Sequence, residues 1–173
     1  MTMLPTEPGN DEYNVHGVSD SGAVVIGDFA QDSVLAWENQ TTTACRWTGA
    51  TLQRLGPDGG EMLGSTWLRG WSLDAKVIVG NSGDLPGSED RPYRWTAVGG
   101  ITEVPLPAGA VWGEAMLPNS DGSVMVMHAY TEVGDVNSPQ AYRWTPTGTA
   151  SLGTLGNRTA VAAMAIKIGR AHV

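Results

Sequence analysis

The stretch Arg91-Pro92-Tyr93-Arg94-Trp95-Thr96 decides the fold, because its last three residues occur three times in the chain. Arg46-Trp47-Thr48 precedes it and Arg143-Trp144-Thr145 follows it, at a spacing of about fifty residues, the length of one supersecondary unit. Ahead of each triplet stands a turn and then an apolar run. These read Ser19-Asp20-Ser21-Gly22 before Ala23-Val24-Val25-Ile26-Gly27, and Ser72-Leu73-Asp74-Ala75 before Lys76-Val77-Ile78-Val79-Gly80. The third copy is Asn119-Ser120-Asp121-Gly122 before Ser123-Val124-Met125-Val126. Behind each triplet comes a short segment ending in Leu: Leu52 to Leu55, Ile101 to Leu106 and Ser151 to Leu155. Three features in one order, three times over, define an internal repeat.

Each unit then offers four short strands: one before the Ser/Asp/Gly turn, the Val/Ile run, the Arg-Trp strand and the Leu strand. Asp and Gly between strands mark hairpins, since both tolerate the positive φ that tight turns need. Alternation puts Tyr93 and Trp95 on one face of their strand and Arg94 and Thr96 on the other. Four antiparallel strands in about 40–50 residues have the dimension of a propeller blade. The expected fold is therefore all-β, a partial β-propeller of about three four-stranded blades, with a β-solenoid as the alternative. Residues 1–12 read as the end of an upstream repeat, 13–57 as repeat 1, 58–107 as repeat 2, 108–156 as repeat 3 and 157–166 as the start of repeat 4. After Ile166 the register calls for Ser, but Lys167-Ile168-Gly169-Arg170-Ala171-His172-Val173 stands there. One codon string for these seven residues resembles a short-read sequencing adapter, so 167–173 are expected to be a non-native tail.

Composition agrees with a turn-rich β protein: 23 Gly and 10 Pro stand against two lysines, Lys76 and Lys167, and 41% of residues are hydrophobic. A net charge of −8 without a basic stripe speaks against a nucleic-acid partner and against an anionic membrane surface. No apolar run reaches membrane-spanning length. A single cysteine, Cys45, allows no intrachain disulfide. The residues at the start carry neither a charged nor an apolar leader region, and a signal peptide is expected further upstream.

The unit as a whole, Ser-x-Asp-Gly, Val-Val-x-Gly and then x-Ala-Tyr-Arg-Trp-Thr, resembles the HAF repeat of bacterial extracellular and autotransporter-associated proteins. The resemblance runs from about Tyr13 to Ile166 and implies a secreted or cell-surface protein with no activity common to the family. The sequence departs from the pattern at the His-Ala-Phe positions, which hold Thr43-Ala44-Cys45, Arg91-Pro92-Tyr93 and Gln140-Ala141-Tyr142. It departs again at Met127, where the other copies have Gly27 and Gly80.

Repetition at one place per unit assigns Trp47, Trp95 and Trp144 to the gaps between blades rather than to sugar-stacking platforms. Arg46, Arg94 and Arg143 are structural by the same argument, paired with Asp20, Asp74 and Asp121 or with the backbone. Trp37 and Trp112 do not recur in register and are the aromatic ligand candidates. The segments between second and third strands vary most in length, and variable loops on a rigid scaffold are where function sits. They carry Asp28, Asp32, Glu38, Asp84, Glu89, Asp90, Glu132 and Asp135, of which Asp84, Asp90, Glu132 and Asp135 are the ligand-binding candidates. No segment has calcium-loop spacing, and His16 and His128 are isolated from one another and from Cys45, so no metal, cofactor or catalytic residue is assigned.

The function these residues favour is a non-catalytic binding or display module on an extracellular or surface β-propeller repeat protein, its partner an extracellular ligand or protein. Self-association through open blade ends is a further expectation. Two alternatives stay open: a secreted glycan-acting hydrolase using carboxylates of the inter-strand loops, and a purely structural repeat array.

Overall fold

The computed structural model describes residues 3–6, 12–31, 41–56, 65–83, 90–131 and 139–153. Twelve strands among them form three four-stranded sheets, each an antiparallel meander in chain order. The first sheet holds β1 (Glu12–Val18), β2 (Val24–Gln31), β3 (Thr41–Thr48) and β4 (Thr51–Arg54). The second holds β5 (Ser65–Trp71), β6 (Val77–Gly83), β7 (Arg91–Thr96) and β8 (Gly100–Glu103). The third holds β9 (Trp112–Pro118), β10 (Met125–Tyr130), β11 (Gln140–Thr145) and β12 (Gly148–Ser151). Every pairing is antiparallel and stays within one repeat. A β-solenoid would stack successive repeats in parallel register, so that alternative does not describe the chain.

The turn motif has a physical reason that repeats with the sequence. In all three copies the fourth turn residue donates its N–H to the carbonyl of the first: Gly22 to Ser19, Ala75 to Ser72, Gly122 to Asn119. The fourth residue sits in the left-handed region each time, at φ 75°, 54° and 69°. The side chain of the first residue accepts from the N–H that opens the next strand: Val24 to Ser19 Oγ, Val77 to Ser72 Oγ and Val124 to Asn119 Oδ1. Asp74 and Asp121 accept the N–H groups of Lys76 and Ser123. Ser and Asn are therefore interchangeable at the first place because each supplies one short-armed oxygen.

The first strand of each sheet carries a bulge at the same place, at His16, Arg69 and Met116. Opposite it lies a size match. Gly27 pairs with Val15 and Gly80 with Leu68, whereas Met127 pairs with Ala115. A Cβ at Gly80 would stand 1.9 Å from the Trp67 carbonyl oxygen, so that copy has no room for a side chain. The third copy exchanges the large and small partners.

Two seams hold the three sheets together. Ile26, Ala44 and Leu55 of the first sheet pack on Ile78, Tyr93 and Trp95 of the second. Val77, Val79 and Val104 of the second pack on Ala115, Met125 and Met127 of the third, with Tyr142 and Trp144 against them. The central strand β6 lends Ile78 to the first seam and Val77 and Val79 to the second, and every residue of β6 and β10 is buried. Successive turns are also bonded through the backbone, Asp20 N–H to the Leu73 carbonyl and Leu73 N–H to the Ser120 carbonyl.

Candidate binding site

The strand β2 runs to Gln31, further than the sequence suggested, and this relocates Asp28. It is a buried strand residue rather than a loop carboxylate. The register brings Ala30 opposite Glu12, so the start of each first strand lies at the end where the second strand leaves for its variable segment. Two of the three bulge residues, His16 and Arg69, carry polar side chains that meet the second strands of their sheets. His16 Nε2 lies 2.5 Å from Asp28 Oδ2, and Asn14 Nδ2 donates to Asp28 Oδ1 at 3.2 Å. His16 is thus not isolated.

One repeat on, the bulged Arg69 takes the place of His16. Its Nε donates to Asn81 Oδ1 at 2.9 Å, and Asn81 occupies the Asp28 place. Asn81 Nδ2 donates in turn to Asp90 Oδ2 at 2.7 Å. The Arg69 Nη2 reaches into the third sheet and donates to Glu114 Oε1 at 2.8 Å. Arg69 is exposed and Glu114 and Asp90 are half-buried, so the row His16–Asp28, Arg69–Asn81–Asp90, Glu114 crosses three sheets with its edge toward solvent. Burial lifts the Asp90 carboxyl above its ordinary range; the Asn81 amide opposes this, Glu114 adds to it and Arg69 offsets it. Burial likewise pushes the Tyr93 phenol well up, with Asp28 adding to it, so that hydroxyl stays protonated.

Of the other residues singled out from sequence, Trp112 lies at the start of β9, face to face with Tyr130 at a ring-centroid distance of 3.6 Å. The two are cross-strand partners, so one face of Trp112 is already occupied. Trp37, Asp84, Glu132 and Asp135 lie outside the described residues, as do Asp32, Glu38 and Glu89. Trp47 and Trp95 are buried and Trp144 is partly buried. The arginines turn to the backbone rather than to Asp74 or Asp121. Arg46 Nη1 donates to the Ala75 carbonyl at 3.5 Å and Arg94 Nη2 to the Gly122 carbonyl at 3.4 Å. The reason is local: Asp74 is held by Ser72 and Lys76, and Asp121 by Ser123. Arg46 also lies over the Trp95 ring, 4.5 Å from its centroid. Arg143 is exposed. His128 is buried on β10.

Among the described residues no three His, Cys, Asp or Glu side chains come together as metal ligands. Sequence reasoning missed Arg69, Asn81 and Glu114. A length-independent signal existed for two of them: Asn81 directly follows the apolar run that ends in Gly80, as Asp28 follows Gly27, and Arg69 precedes the Gly70-Trp71-Ser72 turn entry.

Comparison with solved structures fixes the architecture. A putative TolB from Agrobacterium tumefaciens is similar to this chain at a TM-score of 0.52 and 14% sequence identity, over 88% of this chain and 50% of that one. The chain is a partial β-propeller. Its three sheets are blades, and its closed equivalent would need more of them than the described residues supply. A triple arginine-to-alanine variant of AofleA from Arthrobotrys oligospora is similar at a TM-score of 0.44 and 16% identity, over 84% of this chain and 45% of that one. The chain thus spans about half the length of the structures it resembles. No family model and no curated protein matches it. No helix among the described residues is long and apolar enough to cross a membrane.

Proposed function

We propose that this chain is part of an extracellular or cell-surface β-propeller of the HAF-repeat kind, a non-catalytic binding module that takes a hydroxyl-rich ligand of the glycan class at the loop-bearing end of its blades. The observation that carries the reading is the row from His16 and Asp28 through Arg69, Asn81 and Asp90 to Glu114. Its members come from three repeats that share a motif elsewhere, yet this row is different in each copy. A residue kept for folding would repeat with the fold; the triplet Arg-Trp-Thr does, and the bulge residues do not. The row alternates donors and acceptors, which is what a polyhydroxylated ligand pairs with, and Trp112, two residues before Glu114 on β9, offers the ring face that Tyr130 leaves open.

Glycan-array binding and isothermal titration with the glycans it selects test this. Arg69→Ala and Glu114→Gln should each weaken binding about tenfold or more, the effect of losing a charge-assisted hydrogen bond, with far-ultraviolet dichroism unchanged. Wild-type affinity in both variants would remove the row from the site. A hydrolytic reading has one observation in its favour, the Asp90 carboxyl raised by burial beside Glu114, since a carboxyl that holds its proton more tightly next to a second carboxylate is the equipment of a glycosidase. Reducing-sugar release from the bound glycan, lost in Asp90→Asn, would select that reading over simple binding.

A further inference from the structure

The ligand row leaves more acceptors than donors without a partner. Its middle is mixed rather than merely acidic. The Asn81 amide, 1% exposed, accepts from Arg69 Nε and donates to Asp90 Oδ2, and Arg69 Nη2 donates to Glu114 Oε1. These bonds use one oxygen of each carboxylate. Asp90 Oδ1 and Glu114 Oε2 accept from no donor among the described residues, and the guanidinium between them keeps only Nη1 in reserve.

The backbone keeps the two carboxylates close. Gly113 donates its N–H to the Asp90 carbonyl at 3.1 Å, and Gly113 is the residue between Trp112 and Glu114. Alternation puts Trp112 and Glu114 on one face of β9. Burial disfavours the ionised form of Asp90; the Asn81 amide opposes this, the Glu114 charge adds to it, and Arg69 offsets it. Charge on the adjoining segments has the same sign. Residues 32–40, 84–89 and 131–139, which join second strands to third at this end, carry Asp32, Glu38, Asp84, Glu89, Glu132 and Asp135 and no Lys or Arg. The turns at the other end of the strands have cations of their own. Lys76 lies 3.2 Å from Asp74, and Arg46 and Arg94 reach the Ala75 and Gly122 carbonyls.

Resting on the reading that the row binds a hydroxyl-rich glycan, we infer that this glycan carries a protonated amine, an unacetylated amino sugar whose ammonium bridges the second oxygens of Asp90 and Glu114. An ammonium has three donors and no acceptor, the complement of two spare carboxylate oxygens. Hydrogen bonds between such ions are the strong ones, and a cation beside an aromatic ring such as Trp112 gains further. Arg69 Nη1 serves a ring hydroxyl. A metal ion fits less well, because no three ligating side chains come together among the described residues, and calcium takes about six to eight oxygens. An acidic sugar would bring a third carboxylate to the same place and be repelled.

Isothermal titration of the full chain with a glucosamine tetramer and with its N-acetylated counterpart tests this, at about pH 6 where a sugar amine is protonated. The amine form should bind about tenfold more tightly or better. Asp90→Asn should bring the two affinities together with unchanged dichroism. Asp121→Asn, which removes the same charge from an exposed turn at the other end of the strands, should leave the difference in place. A difference that survives Asp90→Asn overturns the inference, since it would come from general attraction to the acidic segments and not from this pair. Equal affinities, or tighter binding of the acetylated form, overturn it and leave the glycan reading standing. If neither tetramer binds while the glycan array yields a neutral ligand, the amine falls alone; if the array yields nothing, the glycan reading falls with it.

Discussion

Trp95 and Trp144 occupy the same place in two repeats, and they live in different surroundings. Trp95 is buried under Arg46, with Leu55 and Ile26 of the preceding blade around it. Trp144 packs against the second seam from its edge and stays partly exposed. The same division runs through the arginines, with Arg46 drawn into the seam and Arg143 left in solvent. Burial around Arg46 is enough to lower its pKa somewhat, which leaves it a cation at any pH the fold survives. A residue in a repeat array thus owes its burial to the neighbour it meets, not to its own blade. Energetic weight should follow the seam.

The largest effect that can break this comparison is aromatic truncation. Trp95→Ala should cost roughly 3–5 kcal/mol, the range for a large ring lost from a packed interior, whereas Trp144→Ala should cost about 1–3 kcal/mol, the range of ordinary substitutions. Urea melts of the two variants check it. Equal losses would mean that the third blade is as firmly packed as the second.

A smaller and sharper test uses the turn glycines. Gly22 and Gly122 share the left-handed conformation, but a Cβ at Gly22 meets nothing within 4 Å, while one at Gly122 would stand 2.3 Å from Val77 across the second seam. Gly22→Ala should therefore cost only the left-handed strain, about 1 kcal/mol. Gly122→Ala should cost roughly 2–4 kcal/mol, because overpacking adds to the strain. Ala75 shows that the strain alone is tolerated, since it holds a methyl at φ 54° inside the first seam. Thermal melts that rank the two variants the other way would place the strain, not the seam, in control.

The smallest expected effect concerns charge at the ligand row. Asp90 has a carboxyl pKa raised chiefly by burial, so the folded chain holds that proton at a pH where the unfolded chain has released it. The stability this contributes is present in acid and is lost as pH rises through the raised value. Asp90→Asn should accordingly melt slightly higher than wild type near neutral pH, and the gain should vanish as pH falls into the ordinary carboxylate range. Asp74, whose pKa is depressed by the Lys76 N–H and the Ser72 hydroxyl against an opposing burial contribution, should behave in the opposite sense. Asp74→Asn should lose stability near neutral pH, with the loss shrinking in acid. A pair of pH-dependent melting curves with the same sign would contradict these assignments.

The strand pattern and its grouping into three four-stranded units were open to reading because each depends on local chemistry. A β-branched run alternates its faces as a strand does, and a Ser or Asn oxygen three residues before a left-handed Gly or Ala closes the same turn in every copy. Periodicity then amplified a weak local signal threefold. The ligand row was closed to that reasoning for the same reason. Arg69 and Glu114 are 45 residues apart and meet only because two blades stack, and His16, Arg69 and Met116 share a bulge without sharing chemistry. Asp28 illustrates the point most directly: the sequence places it just beyond the Val-Val-x-Gly run, where a loop could begin, and only the pairing of β2 with both β1 and β3 keeps it in a strand and under His16. Sequence alone determined what each unit is, since hairpin geometry and alternation act over a few residues. Which faces of those units are covered, and which polar side chains converge, was decided by the packing of one blade on the next, an interaction between distant segments that no local pattern records.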